Sequence, residues 1–187
     1  MGIDKVRENF KVEIRWRAFP LHPETPEEGL PLKEIFAARI ADVPAMNARL
    51  QRVADTLGLP LAKRTKTFNS RLAQELGKWA ETQGKGPEFH RAVFHAYFVD
   101  RKNIAKIGVL AGVAKAAGLP EKEAREVLKK RTFRDAVDDD WDLANQLEIR
   151  SVPTFVFEKE AVVGAQTYEA LEQFLTEKGA KRIKKKG

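Results

Sequence analysis

Ser151-Val152-Pro153-Thr154-Phe155-Val156-Phe157 is the stretch on which the reading of this chain turns. Proline cannot donate to a sheet ladder and pushes the residue before it into an extended conformation, so Pro153 after β-branched Val152 marks the entrance to a short apolar strand. The local sequence leaves two isomers open. A trans proline opening an edge strand is the commoner arrangement, and a cis X-Pro bond costs only about 0.5–1 kcal/mol.

Working outward, Glu158-Lys159-Glu160 reads as a polar turn and Ala161-Val162-Val163 as a second short strand. Gly164 breaks that strand, and Thr167 caps a helix with Tyr168, Leu171 and Leu175 on one face. Upstream, Ile3, Val6 and Phe10 have helical spacing, whereas Val12, Ile14 and Trp16 alternate with Lys11, Glu13, Arg15 and Arg17. The second pattern predicts a strand over Lys11–Arg17 with one buried face. Three prolines between Pro20 and Pro26 predict an extended loop around His22.

From Leu30 to about Leu147 apolar stripes at helical spacing follow almost without pause. They comprise Leu32, Ile35, Phe36 and Ile40; Met46, Leu50, Val53 and Leu57; Leu72, Leu76 and Trp79; and Phe89, Val93, Phe94 and Tyr97. Ile107, Leu110, Ala111 and Ala114 form the next, stopped by Gly118, and Pro120 suits the first position of a helix over Glu121–Lys130. Phe133, Ala136, Val137, Trp141 and Ala144 complete the series.

Pro-strand-turn-strand-Gly-helix resembles the C-terminal half of a thioredoxin fold, in which a Val-cis-Pro-Thr loop faces the redox centre. Further residues extend the likeness: Trp16-Arg17-Ala18-Phe19-Pro20-Leu21-His22-Pro23, Phe94-His95-Ala96-Tyr97-Phe98, Val152-Pro153-Thr154-Phe155 and Gly164-Ala165-Gln166. In order and spacing, from about Val6 to Leu175, they resemble the DsbA-like superfamily in its FrnE-like branch. The resemblance implies an α/β, thioredoxin-like fold with a large all-helical insertion. It divides the chain into 1–29 and 148–178 (sheet and helices), 30–147 (insertion) and 179–187 (a basic, disordered tail). The insertion is expected to form one wall of the family's cleft.

The family's activity, protein thiol–disulfide exchange, needs a Cys-X-X-Cys motif after a first, central strand. Both belong before the segment Gly2-Ile3-Asp4-Lys5-Val6, and the chain contains no cysteine. Without a thiolate the polypeptide as written has no means of exchange, so whether it is an enzyme stays open. No catalytic residue is assigned, and the Ser of related glutathione-dependent isomerases would also fall before Met1. The missing strand leaves three resolutions: further N-terminal residues, a strand from another chain, or direct pairing of the flanking strands. Two functions follow. One is an N-terminally shortened oxidoreductase relative without redox cysteines; the other is a redox-dead module that binds peptide or itself along the open sheet. The expected partner is a protein or peptide substrate, or a second copy as a homodimer, and the groove residues implied by the resemblance are Val152, Pro153 and Asn69.

Other chemistry finds little support. His90 and His95 lie five apart on a helix, about 140° around its axis, and His22 sits in the proline-rich loop, so no metal site is expected. Asp138-Asp139-Asp140 reads as a solvated helix face, and Ser70 as a helix cap. Gly84-Lys85-Gly86 lacks phosphate-loop spacing. No cofactor is indicated. The net charge is +7, and Lys181, Arg182, Lys184, Lys185 and Lys186 leave +2 for the rest, with no basic, aromatic-laced patch for nucleic acid. With 43% hydrophobic and 33% charged residues and no apolar run of membrane length, the 187 residues are expected to form a soluble, cytoplasmic unit.

Overall fold

The structure, a computed structural model, describes residues 2–36, 42–56 and 58–183. Helix α1 (Gly2–Asn9) opens the chain, and β1 (Leu30–Pro31), α2 (Leu32–Phe36), α3 (Val43–Thr56) and β2 (Lys66–Thr67) follow the proline-rich loop. Then come α4 (Arg71–Thr82), α5 (Gly86–Phe98), α6 (Ile107–Ala116), α7 (Glu121–Lys130) and α8 (Arg134–Gln146). Strands β3 (Thr154–Phe157) and β4 (Glu160–Val163) and helix α9 (Tyr168–Glu177) close the order. The chain divides into two compact units, one of residues 1–21 with 140–187 and one of residues 22–139.

The helical unit is built on the stripes legible in the sequence. Leu76, Phe89, Leu110 and Ala114 are fully buried, with Trp79, Val113 and Leu128 beside them. Helices α4 and α6 both end in a Schellman motif. Gly84 (φ 67°) donates to the Glu81 carbonyl while Lys85 donates to Ala80; Gly118 (φ 81°) donates to Lys115 while Leu119 donates to Ala114. Glycine serves at both because the left-handed conformation costs a side chain about 1–2 kcal/mol. Pro120 stands at the cap of α7, one residue before the first helical position. In α3 the stripe is not core: Leu50 and Val53 are 45% and 51% exposed, and Ala54 is its buried residue. Ile40 and Leu57, expected in the first two stripes, lie outside the described residues.

Two expectations are corrected in this unit. Leu30 does not begin a helix, because Leu30 and Pro31 pair antiparallel with Thr67 and Lys66. Gly29 makes this ladder possible: at φ 78° a Cβ would lie 2.4 Å from the Thr67 carbonyl oxygen. Ser70 occupies the α4 cap position, yet its hydroxyl makes no cap bond; the Asn69 carbonyl oxygen accepts from the Arg71 amide instead, at 2.8 Å. The compact unit itself runs from 22 to 139. The proline-rich loop joins the helical unit because Asn69 donates to the Pro23 and Thr25 carbonyls, and Asn103 to that of Glu27.

In the other unit, α1 and α9 bury Val6, Phe10, Leu171, Phe174 and Leu175, with Phe155, Phe157 and Val162 of the hairpin packed on them. Strands β3 and β4 pair antiparallel in the register Thr154↔Val163 to Phe157↔Glu160. The expected strand over 11–17 does not form. Burial alternates only from Lys11 to Arg15, with Val12 and Ile14 half-buried and Lys11, Glu13 and Arg15 exposed; Trp16, expected on the same face as Val12 and Ile14, is 41% exposed. A strand also needs a neighbour to bond to, and among the described residues none runs alongside. Direct pairing of this segment with β3 is therefore not the resolution adopted.

Within the expected tail, residues 181–183 pair with the start of the chain. Phe10 and Arg182 form an antiparallel bridge, in which Lys11 donates to Lys181 (2.7 Å) and Ile183 donates to Asn9 (2.8 Å). The Arg182 guanidinium lies over the Phe10 ring, 5.1 Å from its centroid, and pairs with Glu172 at 2.8 Å. Cation–π attraction and a charge pair thus hold residues whose sequence reads only as basic. Residues 184–187 lie outside the described part.

Candidate functional site

The strand entrance at Pro153 is built by the hairpin that follows it. A two-residue connection, Glu158-Lys159, with Glu158 left-handed at φ 57°, places Phe157 opposite Glu160. That register fixes which backbone groups face β4. The bond from the Gly164 amide to the Pro153 carbonyl, 2.8 Å, shows that Pro153, Phe155 and Phe157 direct theirs inward to the ladder. Thr154 and Val156 therefore present N–H and C=O at the opposite edge, where no described residue pairs with them. The Val152–Pro153 bond is cis, and the Thr154 hydroxyl donates to the Ser151 carbonyl at 2.7 Å. Val152 (45% exposed), Val156 (47%) and Val163 (58%) make this the apolar surface of the hairpin.

Edge β4 is covered differently. Gln166 donates from its amide to the Val163 and Gly164 carbonyls, and Lys178 pairs with Glu160 at 3.3 Å. The β3 edge, Thr-Phe-Val-Phe, carries no charge and, among the described residues, no such cover apart from the proline at its start. Uncharged open edges are templates for another strand.

Of the residues named from the sequence, Val152 and Pro153 lie at this edge. Asn69 belongs to the helical unit, where its amide and carbonyl oxygen are taken up by Pro23, Thr25 and Arg71. Its visible role is to pin the proline-rich loop to the start of α4.

The acidic triplet is not a solvated face. Only Asp139 is exposed; Asp138 pairs with Arg71 at 2.7 Å and with Arg134 at 3.6 Å. Asp140 is 1% exposed and accepts from the Arg17 guanidinium and the Ala18 amide, each at 2.8 Å. It thereby anchors the turn after segment 11–17 to the last half of α8, which is why this half joins the first unit and the boundary falls within the helix. Glu75 is the second buried carboxylate, accepting from Arg71 (2.7 Å) and from both arms of Arg131 (2.7 and 2.5 Å). Burial pushes its carboxyl up, but the hydrogen bonds from Arg131 and then Arg71 outweigh this and hold it below the usual carboxylate range. No sequence motif announces either network; the one local signal is the i, i+4 spacing of Arg71 and Glu75. Both organise the fold, each carboxylate being engaged by arginine. Among the described residues no three metal-ligating side chains converge.

A sequence model of the DSBA-like thioredoxin domain matches residues 1–176. The chain belongs to the DsbA-like thioredoxin family. It is similar to the crystal structure of the probable DsbA oxidoreductase SCO1869 from Streptomyces coelicolor, with a TM-score of 0.84 and 26% identity, covering 94% of this chain and 81% of that one. A putative protein disulfide isomerase from Nitrosomonas europaea shares the fold at a TM-score of 0.58 and 16% identity, covering 78% and 85%. The uncharacterized protein YwbO of Bacillus subtilis is 25% identical over 174 residues, 91% of this chain and 84% of its own. The DsbA-like fold is thus mostly helical here, with few strands, and it carries no cysteine. No helix among the described residues is long and apolar enough to cross a membrane.

Proposed function

We propose that this DsbA-like protein, of the FrnE-like branch, binds extended polypeptide along the β3 edge and performs no thiol–disulfide exchange with the residues it has. The observation that carries the reading is the outward pair Thr154 and Val156, whose backbone groups stand ready for a strand beside the exposed Val152 and Val156 side chains. Family membership supplies the class of ligand, a protein chain, and the cysteine-free sequence withholds the redox step.

The test uses reduced, carboxymethylated lactalbumin as the extended polypeptide and its folded form as control. Binding by the purified chain is expected for the unfolded form alone, and Val156→Pro, which deletes an edge donor while sparing every ladder bond, is expected to weaken it tenfold or more. Equal binding of the two forms, or an unaffected variant, refutes the reading. In a dithiothreitol-driven insulin reduction assay the chain should add nothing to the buffer rate; acceleration would show redox chemistry that this sequence does not explain.

The uncharged β3 edge also favours self-pairing as a second reading. Light scattering decides it. A dimer dissociated by Val156→Pro would make the second copy the occupant.

A further inference from the structure

Helix α3 turns its apolar stripe aside from the body it packs on. At about 100° per residue, Val43, Asn47 and Ala54 share one side of the helix. That side faces the helical unit: Ala54 is buried, and the Asn47 amide reaches the Arg64 carbonyl at 3.5 Å. Met46, Leu50 and Val53 form a second line about 70° further round the axis, and Leu50 and Val53 are left half-exposed there. Arg49 and Arg52 follow on the far side of that line, while Asp55 lies on the opposite face, where it accepts from Gln51 at 2.9 Å. Between Val43 and Lys66 the chain carries five cations, Arg49, Arg52, Lys63, Arg64 and Lys66, against the single acid Asp55. Among the described residues none of the five makes an ion pair. Arg64 is held instead over the Tyr97 and Phe98 rings, 4.8 Å from each centroid.

We infer that α3 is the docking face for an acidic amphipathic helix of a partner protein. This goes beyond the reading of the β3 edge and does not depend on it. The charge selects one face of the partner: carboxylates a single turn apart would meet Arg49 and Arg52, which are themselves one turn apart. The apolar line selects the other, because Met46, Leu50 and Val53 give a ridge about 10 Å long on which the leucines of a second helix can pack. A second copy of α3 is disfavoured, since it would set arginine against arginine. An extended segment is disfavoured too. The backbone groups of α3 are used within the helix, so a strand would find none to bond with, whereas a helix arrives with its own already satisfied.

The experiment takes the full chain and a fluorescein-labelled probe, two repeats of Glu-Leu-Ala-Glu-Leu-Leu-Ala, which carries leucines on one helical face and carboxylates beside them. Anisotropy should show saturable binding, and circular dichroism a gain in helix on mixing. A probe with Gln for every Glu, the double variant Arg49→Gln/Arg52→Gln and the double variant Leu50→Ser/Val53→Ser should each bind at least about tenfold more weakly. All four positions are exposed, so both variants should melt with the wild type. Val156→Pro should bind as the wild type does, which separates this face from the β3 edge. Absence of binding, or its loss in Val156→Pro, would overturn the inference. Unchanged affinity in either double variant would overturn it as well; if the arginines alone mattered and an oligothymidylate bound equally tightly, the face would be a general polyanion surface and not a helix-docking one.

Discussion

Replacing Glu75 by Gln removes a charge that two arginines surround, and the structure sets the size of the effect. Glu75 is 1% exposed and accepts three short charge-assisted hydrogen bonds from Arg71 and Arg131. Breaking a buried pair by removing one partner costs about 3–5 kcal/mol. Two features place Glu75→Gln at the lower end: the Arg131 side chain is 43% exposed and regains water, and Arg71 keeps Asp138 at 2.7 Å. A loss of about 3 kcal/mol is expected, which for a chain of this size lowers Tm by about 6–12 °C. Urea and thermal unfolding followed by circular dichroism measure it. The pH dependence supplies a second check with a fixed sign. Because the folded carboxyl titrates below its ordinary value, its contribution is complete above the unfolded value, about 4.3, and is lost as pH falls through the folded value. The gap between wild type and Glu75→Gln should therefore close in acid. A loss under about 1 kcal/mol, or a gap that stays constant down to pH 3, would refute this account of Glu75.

Three further outcomes follow from named contacts. Asp140→Ala leaves the Ala18 amide and the Arg17 guanidinium without their acceptor and should cost about 2 kcal/mol, read by the same unfolding measurements. Gly29→Ala forces a side chain to φ 78° and against a backbone oxygen, so it should cost at least about 2 kcal/mol, whereas Gly118→Ala, with open space around its Cβ, should cost only about 1 kcal/mol. His90 is held below its ordinary value first by burial and then by Lys78, so it contributes a stability that falls as pH drops from about 7 towards 5, and His90→Gln should flatten that slope in pH-dependent melting.

The sequence was informative where periodicity maps directly onto packing. The stripes of α4 to α7, the Thr167 cap of α9, which accepts from Ala170 at 3.2 Å, and the proline-opened hairpin could all be read from local pattern. Segment 11–17 shows the limit of such reading. Its alternation correctly sorts Val12 and Ile14 inward, but alternation describes faces and says nothing of whether a neighbour exists to complete a ladder. Glu75 and Asp140 were illegible for a related reason. Their partners Arg131 and Arg17 are 56 and 123 residues away, and an acid on a helix looks like a solvated one until the fold brings an arginine to it. Asn69 could be seen as a polar residue at a helix start, but not that the loop at Pro23 would claim its amide.

The bridge between Phe10 and Arg182 joins positions about 170 residues apart, so forming it from an open chain demands an unusually large loop closure. The helical unit lies wholly inside that loop. On a ribosome it can condense as soon as residue 139 has emerged, which shortens the loop while synthesis continues. Residues 9–11 must wait for 181–183. The nascent chain thus exposes α1 and its apolar face until the far arm of the bridge has been made, and this segment is where a chaperone would have a long opportunity to act.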